Sequence, residues 1–520
     1  MSITLAGAAP GVATRIDPAP VVAGCVMFAL VLFLPQVLND GDTLWQIRTG
    51  EWILDHRAIP SADPFSFTAG NTPWFAHEWL AEVLMALAHR MGGMRGIMVL
   101  TAAASGLTAA VLLHHLRRFL PGIYAVLGLV LALSNAAPSL LARPHVLAWP
   151  CLALWCGGLV AARANRTAPS FLLLPAMLLW VNLHGSFVLG LLLTGAFLVE
   201  ALFDKGIDPR RVLTAWTAFL LAAWGVALLN PDFIGGVLFP FHLVGMQSLA
   251  WIGEWQPTDF SRLQPLELIL LAGLALGLSG ALTLPPLRLL MLLGLVHGAL
   301  THARNEQILG LIGALILAEP IGARLARVRA AQIPLAKIPL AKIPLAQIPL
   351  APIPLAPIPL TRDPLAHGPA EALNGVWRGL TLAAACLAAM ALLARGMVPL
   401  APERTGAAFA AILDRVPAAL RVQPVLNDYS LGGQLIFQGA RPFVDSRADL
   451  YGDAFLTRYR ALTAPDRAAL DRALTEYGIA WTIFPSAHRI VPVLDDLPGW
   501  RRLAAAGGVV IHAREEPAPR

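Results

Sequence analysis

Charged side chains are scarce in this chain. Lys, Arg, Asp and Glu make up 13% of its 520 residues and hydrophobic residues 57%, where globular domains carry about 25% and 45–50%. That balance excludes a water-soluble or disordered protein. Cysteine is nearly absent: Cys25, Cys151, Cys156 and Cys386 all fall inside apolar blocks, which excludes a disulfide framework or a thiolate metal site. The net charge of +6 comes without a basic patch interleaved with aromatics, which excludes nucleic acid as a partner. The arginines stand instead at the ends of apolar blocks.

What the sequence does contain is a succession of long apolar segments, the signature of a polytopic membrane protein. Candidate spans cover residues 21–38, 93–113, 122–138, 145–162, 171–183, 186–203, 212–229, 265–282, 287–300, 308–321 and 379–394. The first has no small-residue cleavage site and reads as a retained helix. Segment 171–183 is short for a full crossing and reads as half of a re-entrant hairpin. Basic residues mark alternate loops as cytoplasmic: Arg117/Arg118, Arg163/Arg166, Lys205/Arg210/Arg211, Arg288 and Arg324/Arg327/Arg329. Arg48, Arg57, Arg90 and Arg95 in the first large loop depart from that bias.

The resulting organisation is a mainly α, polytopic membrane helical bundle of about 11 spans with a C-terminal extracytoplasmic α/β domain. Residues 1–20 form a cytoplasmic N-terminal segment, and 21–330 a membrane domain with a large first outer loop, 39–92. Residues 331–378 are a cytoplasmic linker opening with six tandem pentapeptides that end in Ile-Pro-Leu. Proline at every fifth position removes backbone donors and favours an extended spacer. Residues 379–396 form the last membrane helix and 397–520 a periplasmic domain. Its short apolar segments 424–426, 442–444, 481–484 and 509–511 predict strands, and 455–462 and 466–477 predict helices. The location is the inner (cytoplasmic) membrane of a bacterium, N-terminus inside.

Polar residues concentrate on the side facing away from the cytoplasm. The first outer loop opens Asn39-Asp40-Gly41-Asp42-Thr43. Thr43 and Gln46 predict a capping box, and Trp45 and Trp52, seven apart, predict one face of an interfacial helix. Asp40 and Asp42 then lie before a helix start beside the membrane. Such residues are ordinary there; they also suit a general base or a divalent-metal pair. His77-Glu78 opens a second helix of the loop. Arg143 and His145, Asn182 and His184, Glu254, and Arg304 with Asn305 fall at loop ends of the same side. Burying Asn182, His184 or Arg304 unpaired would cost several kcal/mol, which favours convergence on a shared polar cavity. In the C-terminal domain, Asp428-Tyr429 and Asp445-Ser446-Arg447-Ala448-Asp449 follow predicted strands, where acceptor ligands would sit; a structural ion network fits the same cluster.

These segments resemble the GT-C class of membrane glycosyltransferases. The likeness rests on the stretch from Asp42 to Trp52, on residues 77–80 (His-Glu-Trp-Leu), on 180–185 (Trp-Val-Asn-Leu-His-Gly), and on the stretch from Asn427 to Tyr451. The resemblance implies transfer of a sugar from a polyprenyl-phosphate donor, with membrane lipid as surroundings and an acceptor of unspecified identity. It implies Asp40 and Asp42 as catalytic base or as ligands of Mg or Mn. Arg143, His145, His184 and Arg304 would hold the donor phosphate, with His77, Glu78, Asn182, Glu254 and Asn305 nearby. The resemblance carries over no acceptor site; the strand-end position alone places Asp428, Tyr429, Asp445, Arg447 and Asp449 on the acceptor side. The alternatives are a transporter or flippase for lipid-linked or polymeric glycans, or a non-catalytic component of an export complex. Transporters show internal repeats and mid-membrane charges, and neither is present here.

Overall fold

A computed structural model describes residues 17–331, 370–401 and 406–515. Residues 1–16 and all of the pentapeptide tract after Ala331 lie outside the described residues. Thirteen helices build the first part. Helix α1 (Ala19–Val31) packs against the later turns of the long α3 (Trp79–Leu116), and α2 (Asp42–His56) lies across its first turns. Gly50 makes that crossing close: a Cβ there would stand 2.0 Å from the Glu82 carbonyl. Helix α3 kinks at Gly92 and Gly93, the latter at φ +57°, so one continuous element serves first as loop helix and then as membrane helix. Then follow α4 (Gly122–Ala136), α5 (Pro144–Ala164), α6 (Leu174–Leu183), α7 (Phe187–Leu202) and α8 (Pro209–Ala227). Helices α9 (Ile234–Val244), α10 (Pro265–Leu278), α11 (Pro286–Thr301), α12 (Glu306–Ala331) and α13 (Ala370–Met397) complete the set.

Helix occupies every segment expected to span. Among the described residues, five helices are long and apolar enough to cross a membrane: Trp79–Leu116, Gly122–Ser139, Pro144–Ala164, Ala303–Arg329 and Trp377–Met397. Six shorter apolar helices of 10–17 residues accompany them, including Ile234–Val244, which the sequence did not predict. Large apolar side chains point outward from many of these helices, among them Leu127, Leu192, Leu274 and Leu290. Outward leucines next to a buried core are what a lipid environment selects. The chain is a multi-pass membrane protein.

The C-terminal part is a small α/β unit. Its helices are α14 (Ala407–Leu413), α15 (Ala418–Arg421), α16 (Gly432–Phe437), α17 (Ala448–Leu462), α18 (Arg467–Glu476) and α19 (Val491–Asp495). They surround β1 (Val425–Asn427), β2 (Trp481–Pro485), β3 (Trp500–Ala506) and β4 (Val509–Arg514) in the order β1-β2-β4-β3. The β1–β2 pair is parallel with Val425 opposite Trp481; the other two pairs are antiparallel. Strand β3 was not predicted: its Arg501 and Arg502 interrupt the apolar pattern at the sheet edge. The expected strand at 442–444 does not form. The Asn427 side chain takes the place of a ladder partner, accepting from Phe443 N–H at 2.8 Å and donating to the Val444 carbonyl at 2.8 Å.

The first outer loop binds the two parts together. Buried Arg447 donates to Asp445 through Nε and Nη2, at 2.8 and 2.7 Å, and to Asp63 of the loop through Nη1 at 2.8 Å. Its guanidinium lies 4.7 Å from the Trp74 ring, and Tyr451 donates to Asp445 at 2.8 Å. Asp445 and Arg447 therefore clamp loop to domain and do not face an acceptor. Asp63, to which the sequence assigns no role, is the third member of that clamp. Removing one partner of a buried ion network leaves its counter-charges uncompensated. Arg447→Leu is accordingly expected to cost about 3–5 kcal/mol. The measurement is Tm together with protease cleavage between residues 57 and 75; an unchanged Tm contradicts the clamp.

Candidate active site

The start of α2 is set by its neighbours. Gly41 is the N-cap and carries no side-chain cap, so the expected Thr43/Gln46 box does not form. Thr43 instead donates through Oγ1 to the Ala142 carbonyl at 2.9 Å, and Ala142 N–H donates to the Val37 carbonyl at 2.8 Å. These two bonds hold Asp40 and Asp42 against Arg143. From the other side α16 approaches through Gly433, where a Cβ would stand 2.5 Å from the Gly41 carbonyl. Trp45 is buried beneath the C-terminal domain and donates to Ser446 Oγ at 3.1 Å. Its burial rules it out as an interfacial anchor, while Trp52, two turns on, stacks on His56 at 4.2 Å.

Arg143 is the centre of the site. Its Nη2 reaches Asp40 Oδ1 at 2.8 Å and Asp42 Oδ2 at 2.6 Å, and its Nη1 donates to Glu254 Oε2 at 2.6 Å. Pro144 at the first position of α5 leaves Arg143 extended before the helix, with its side chain free to turn into the loop cluster. Glu254 also accepts from Arg304 Nη1 at 3.2 Å, and the Arg304 guanidinium lies 4.2 Å from the Trp255 ring. Ser446 of the C-terminal domain donates to Asp42 Oδ1. Tyr429 donates to the Ser446 carbonyl at 3.0 Å, and Asp449 accepts from Trp74 Nε1 at 3.1 Å.

These residues line one open cavity of about 270 Å³ between the membrane helices and the C-terminal domain. Asp40, Asp42, Arg143, Glu254 and Arg304 form one wall; Tyr429, Ser446 and Asp449 form the other. The charges there are unusual. Burial pushes the Asp42 carboxyl up to about 6, helped by the charges of Asp40 and Glu254, while Arg143 and Ser446 oppose it. Burial also tends to raise Glu254, but Arg304 and Arg143 outweigh it and hold that carboxyl below its usual range. Asp449 is raised, chiefly by burial.

A second, half-buried layer lies beneath. Glu78 Oε1 stands 3.7 Å from His77 Nε2 and 3.6 Å from His184 Nε2. Burial raises Glu78 to about 8, lowers His77 to about 4 and lowers His184 well below its usual value. Each shift runs toward the uncharged form of its group. His145 bonds to the Ser139 carbonyl through Nε2 at 2.7 Å, with its ring centre 6.0 Å from that of His184. Neither His145 nor His184 lines the cavity.

Three other predicted residues do not line the cavity. Asn182 accepts from Trp79 Nε1 at 2.8 Å and donates to the Leu178 and Leu229 carbonyls. Asn305 donates to the Gly298 carbonyl at 3.1 Å. Asp428 caps the short turn Tyr429–Leu431 through Ser430 N–H at 2.9 Å. Sequence reasoning missed Ser446, Trp255 and Trp74. Ser446 lies inside a recognised motif, but nothing in the motif says that its hydroxyl turns to Asp42.

Asp40, Asp42 and Glu254 are all engaged by Arg143. Among the described residues no group of three His, Cys, Asp or Glu side chains is arranged to hold a metal ion. The acidic residues of the pocket gather instead around the guanidinium of Arg143, which takes the central position a metal would need.

No family model matches the chain, and no curated protein sequence matches it. Solved structures do resemble it. ArnT from Cupriavidus metallidurans bound to undecaprenyl phosphate aligns over 95% of this chain and 97% of its own, at 15% identity and a TM-score of 0.48. The Archaeoglobus fulgidus oligosaccharyltransferase tethered with an acceptor peptide aligns over 89% of this chain and 69% of its own, at 10% identity and a TM-score of 0.50. At that level the likeness to the oligosaccharyltransferase bears on architecture: this chain has a GT-C-like glycosyltransferase fold.

Proposed function

We propose that the protein is an integral-membrane glycosyltransferase that moves a sugar from a polyprenyl-phosphate donor to an extracytoplasmic acceptor. One observation carries this reading. Carboxylates of the first loop, arginines of two membrane-helix ends and polar groups of the C-terminal domain line a single pocket. In this reading about eleven helices cross the cytoplasmic membrane of a bacterium, and the pocket and C-terminal domain face the periplasm.

Asp42 acts as general base. It takes the proton of the acceptor hydroxyl, whose oxygen bonds to the anomeric carbon as the bond from that carbon to the phosphate oxygen breaks. Polyprenyl phosphate leaves with the electron pair. Its charge falls to Arg304, which spends a single 3.2 Å bond on Glu254 and is braced on Trp255, so most of its donors remain for a phosphate. Arg143 is committed to three carboxylates and serves as a positioning residue. It replaces a metal as the fixed positive charge of the pocket. Asp40 holds Arg143, and Tyr429, Ser446 and Asp449 border the space for the acceptor. His145 and His184 support the floor and do not touch phosphate.

The test is donor consumption by the purified full chain in liposomes that contain polyprenyl-phosphate sugar. Asp42→Asn is expected to lower kcat by about 10²–10⁴-fold; wild-type turnover in that variant, or transfer of intact donor across the bilayer without cleavage, contradicts the proposal. Arg304→Gln is expected to raise the donor KM by roughly 10–100-fold, the loss of one charge-assisted contact, with a smaller change in kcat. An unchanged KM removes Arg304 from the phosphate site.

The pH dependence follows from Asp42. Below about pH 6 the carboxyl is protonated and cannot accept a proton. Turnover should therefore rise with pH through about 6 and level off above it. Stability moves the other way, because a carboxyl whose folded pKa is raised stabilises the fold at low pH and loses that contribution as pH climbs past the folded value. Between pH 4 and 7 the Tm of the wild type should fall relative to that of Asp42→Asn; parallel curves would contradict the raised carboxyl.

A further inference from the structure

At the opposite end of α5 lies a second pocket that plays no part in sugar transfer. Helix α5 is 21 residues long, so Arg163, near its last turn, stands about 30 Å from Arg143 at 1.5 Å rise per residue. The cavity there measures about 520 Å³, within the range of small-ligand sites. Its floor is a buried ion network. Arg163 donates to both oxygens of Asp204, at 2.7 and 3.0 Å. Arg288 reaches Glu200 at 3.2 Å and Glu319 at 2.7 Å. The Arg163 and Arg288 side chains are only 6% and 5% exposed.

The pocket has more positive charge than its floor consumes. Five arginines line it, Arg163, Arg166, Arg288, Arg324 and Arg327, against three carboxylates, Glu200, Asp204 and Glu319. Among the described residues, Arg166, Arg324 and Arg327 make no ion pair or side-chain hydrogen bond, and all three are exposed at the rim. Arg163 keeps a buried Nε–H without a partner. Leu278 and Leu290, at 81% and 65% exposure, flank the loop 279–285 that forms one wall. Bare guanidinium groups beside outward leucines suit a ligand with an anionic phosphate head and apolar tails. Basic pockets between membrane helices on the positively biased side hold such heads.

We propose that this pocket binds a phosphate-bearing anion, with Arg324, Arg327 and Arg166 as the gripping residues and the Arg163–Arg288 network as the rigid floor. The apolar rim makes the headgroup of an anionic phospholipid the favoured source over a free phosphate. The site is distinct from the transfer pocket, and its sidedness rests on the orientation in the functional reading; binding itself does not. Bidentate guanidinium–phosphate bonds supply the affinity, and lateral access from the bilayer supplies the route.

The experiment is native mass spectrometry of the purified full chain exchanged against phosphatidylglycerol, phosphatidylcholine or inorganic phosphate. Two double variants accompany it, Arg324→Gln with Arg327→Gln, and Arg210→Gln with Arg211→Gln as a control for non-specific charge on the same face. Retention of phosphatidylglycerol should exceed that of phosphatidylcholine and fall about tenfold in the first double variant alone. Competition by inorganic phosphate at equal concentration would assign the same site to a free anion. Equal retention of the two lipids with no phosphate binding overturns the proposal, and so does an equal fall in both double variants. Donor consumption, measured on the same samples, separates this result from any failure of the transferase reading.

Discussion

The site depends on the charge of Arg143. Asp40 and Asp42 from the first loop and Glu254 from the loop after α9 would repel one another if brought together in a half-buried pocket. One guanidinium, fixed by the extended residue before Pro144, makes their convergence favourable. It ties the start of α2 to the 248–256 segment and, through Asp42 and Ser446, to the C-terminal domain. A planar fork with donors in several directions can meet three carboxylates at once; an ammonium group offers no such geometry.

Around that centre, electrostatics divides the pocket into working and supporting layers. The upper layer keeps partly exposed, charged groups, with Asp42 poised near pH 6. In the lower layer, Glu78 with His77 and His184, burial shifts each group toward its uncharged form. The clamp of Asp63, Arg447 and Asp445 lies at the domain joint, where it fixes the wall that carries Ser446.

Much of this was legible in the sequence. Long apolar segments located the helices, because hydrophobic runs leave the chain few alternatives in a bilayer. Loop polarity picked out Asp40, Asp42, Arg143, Glu254 and Arg304, all of which line the pocket. Three things were not legible. Side-chain substitution for a β-ladder hid at 442–444, since apolar residues read as strand while Asn427 does the bonding. The capping signal at Thr43 was overridden by a tertiary carbonyl, that of Ala142, 99 positions away. Which polar residues face a cavity and which satisfy one another also depends on rotations that spacing does not encode. Asn182 and Arg447 are buried and His145 half-buried, and each bonds to the protein without lining the pocket.

Structure determination of the full chain with a bound polyprenyl-phosphate sugar tests the central claim most directly. The account predicts the phosphate within hydrogen-bond distance of Arg304 and the anomeric carbon facing Asp42, with Arg143 still bridging Asp40 and Glu254. A phosphate seated elsewhere, or Asp42 turned out of the pocket with Arg143 released, would contradict it.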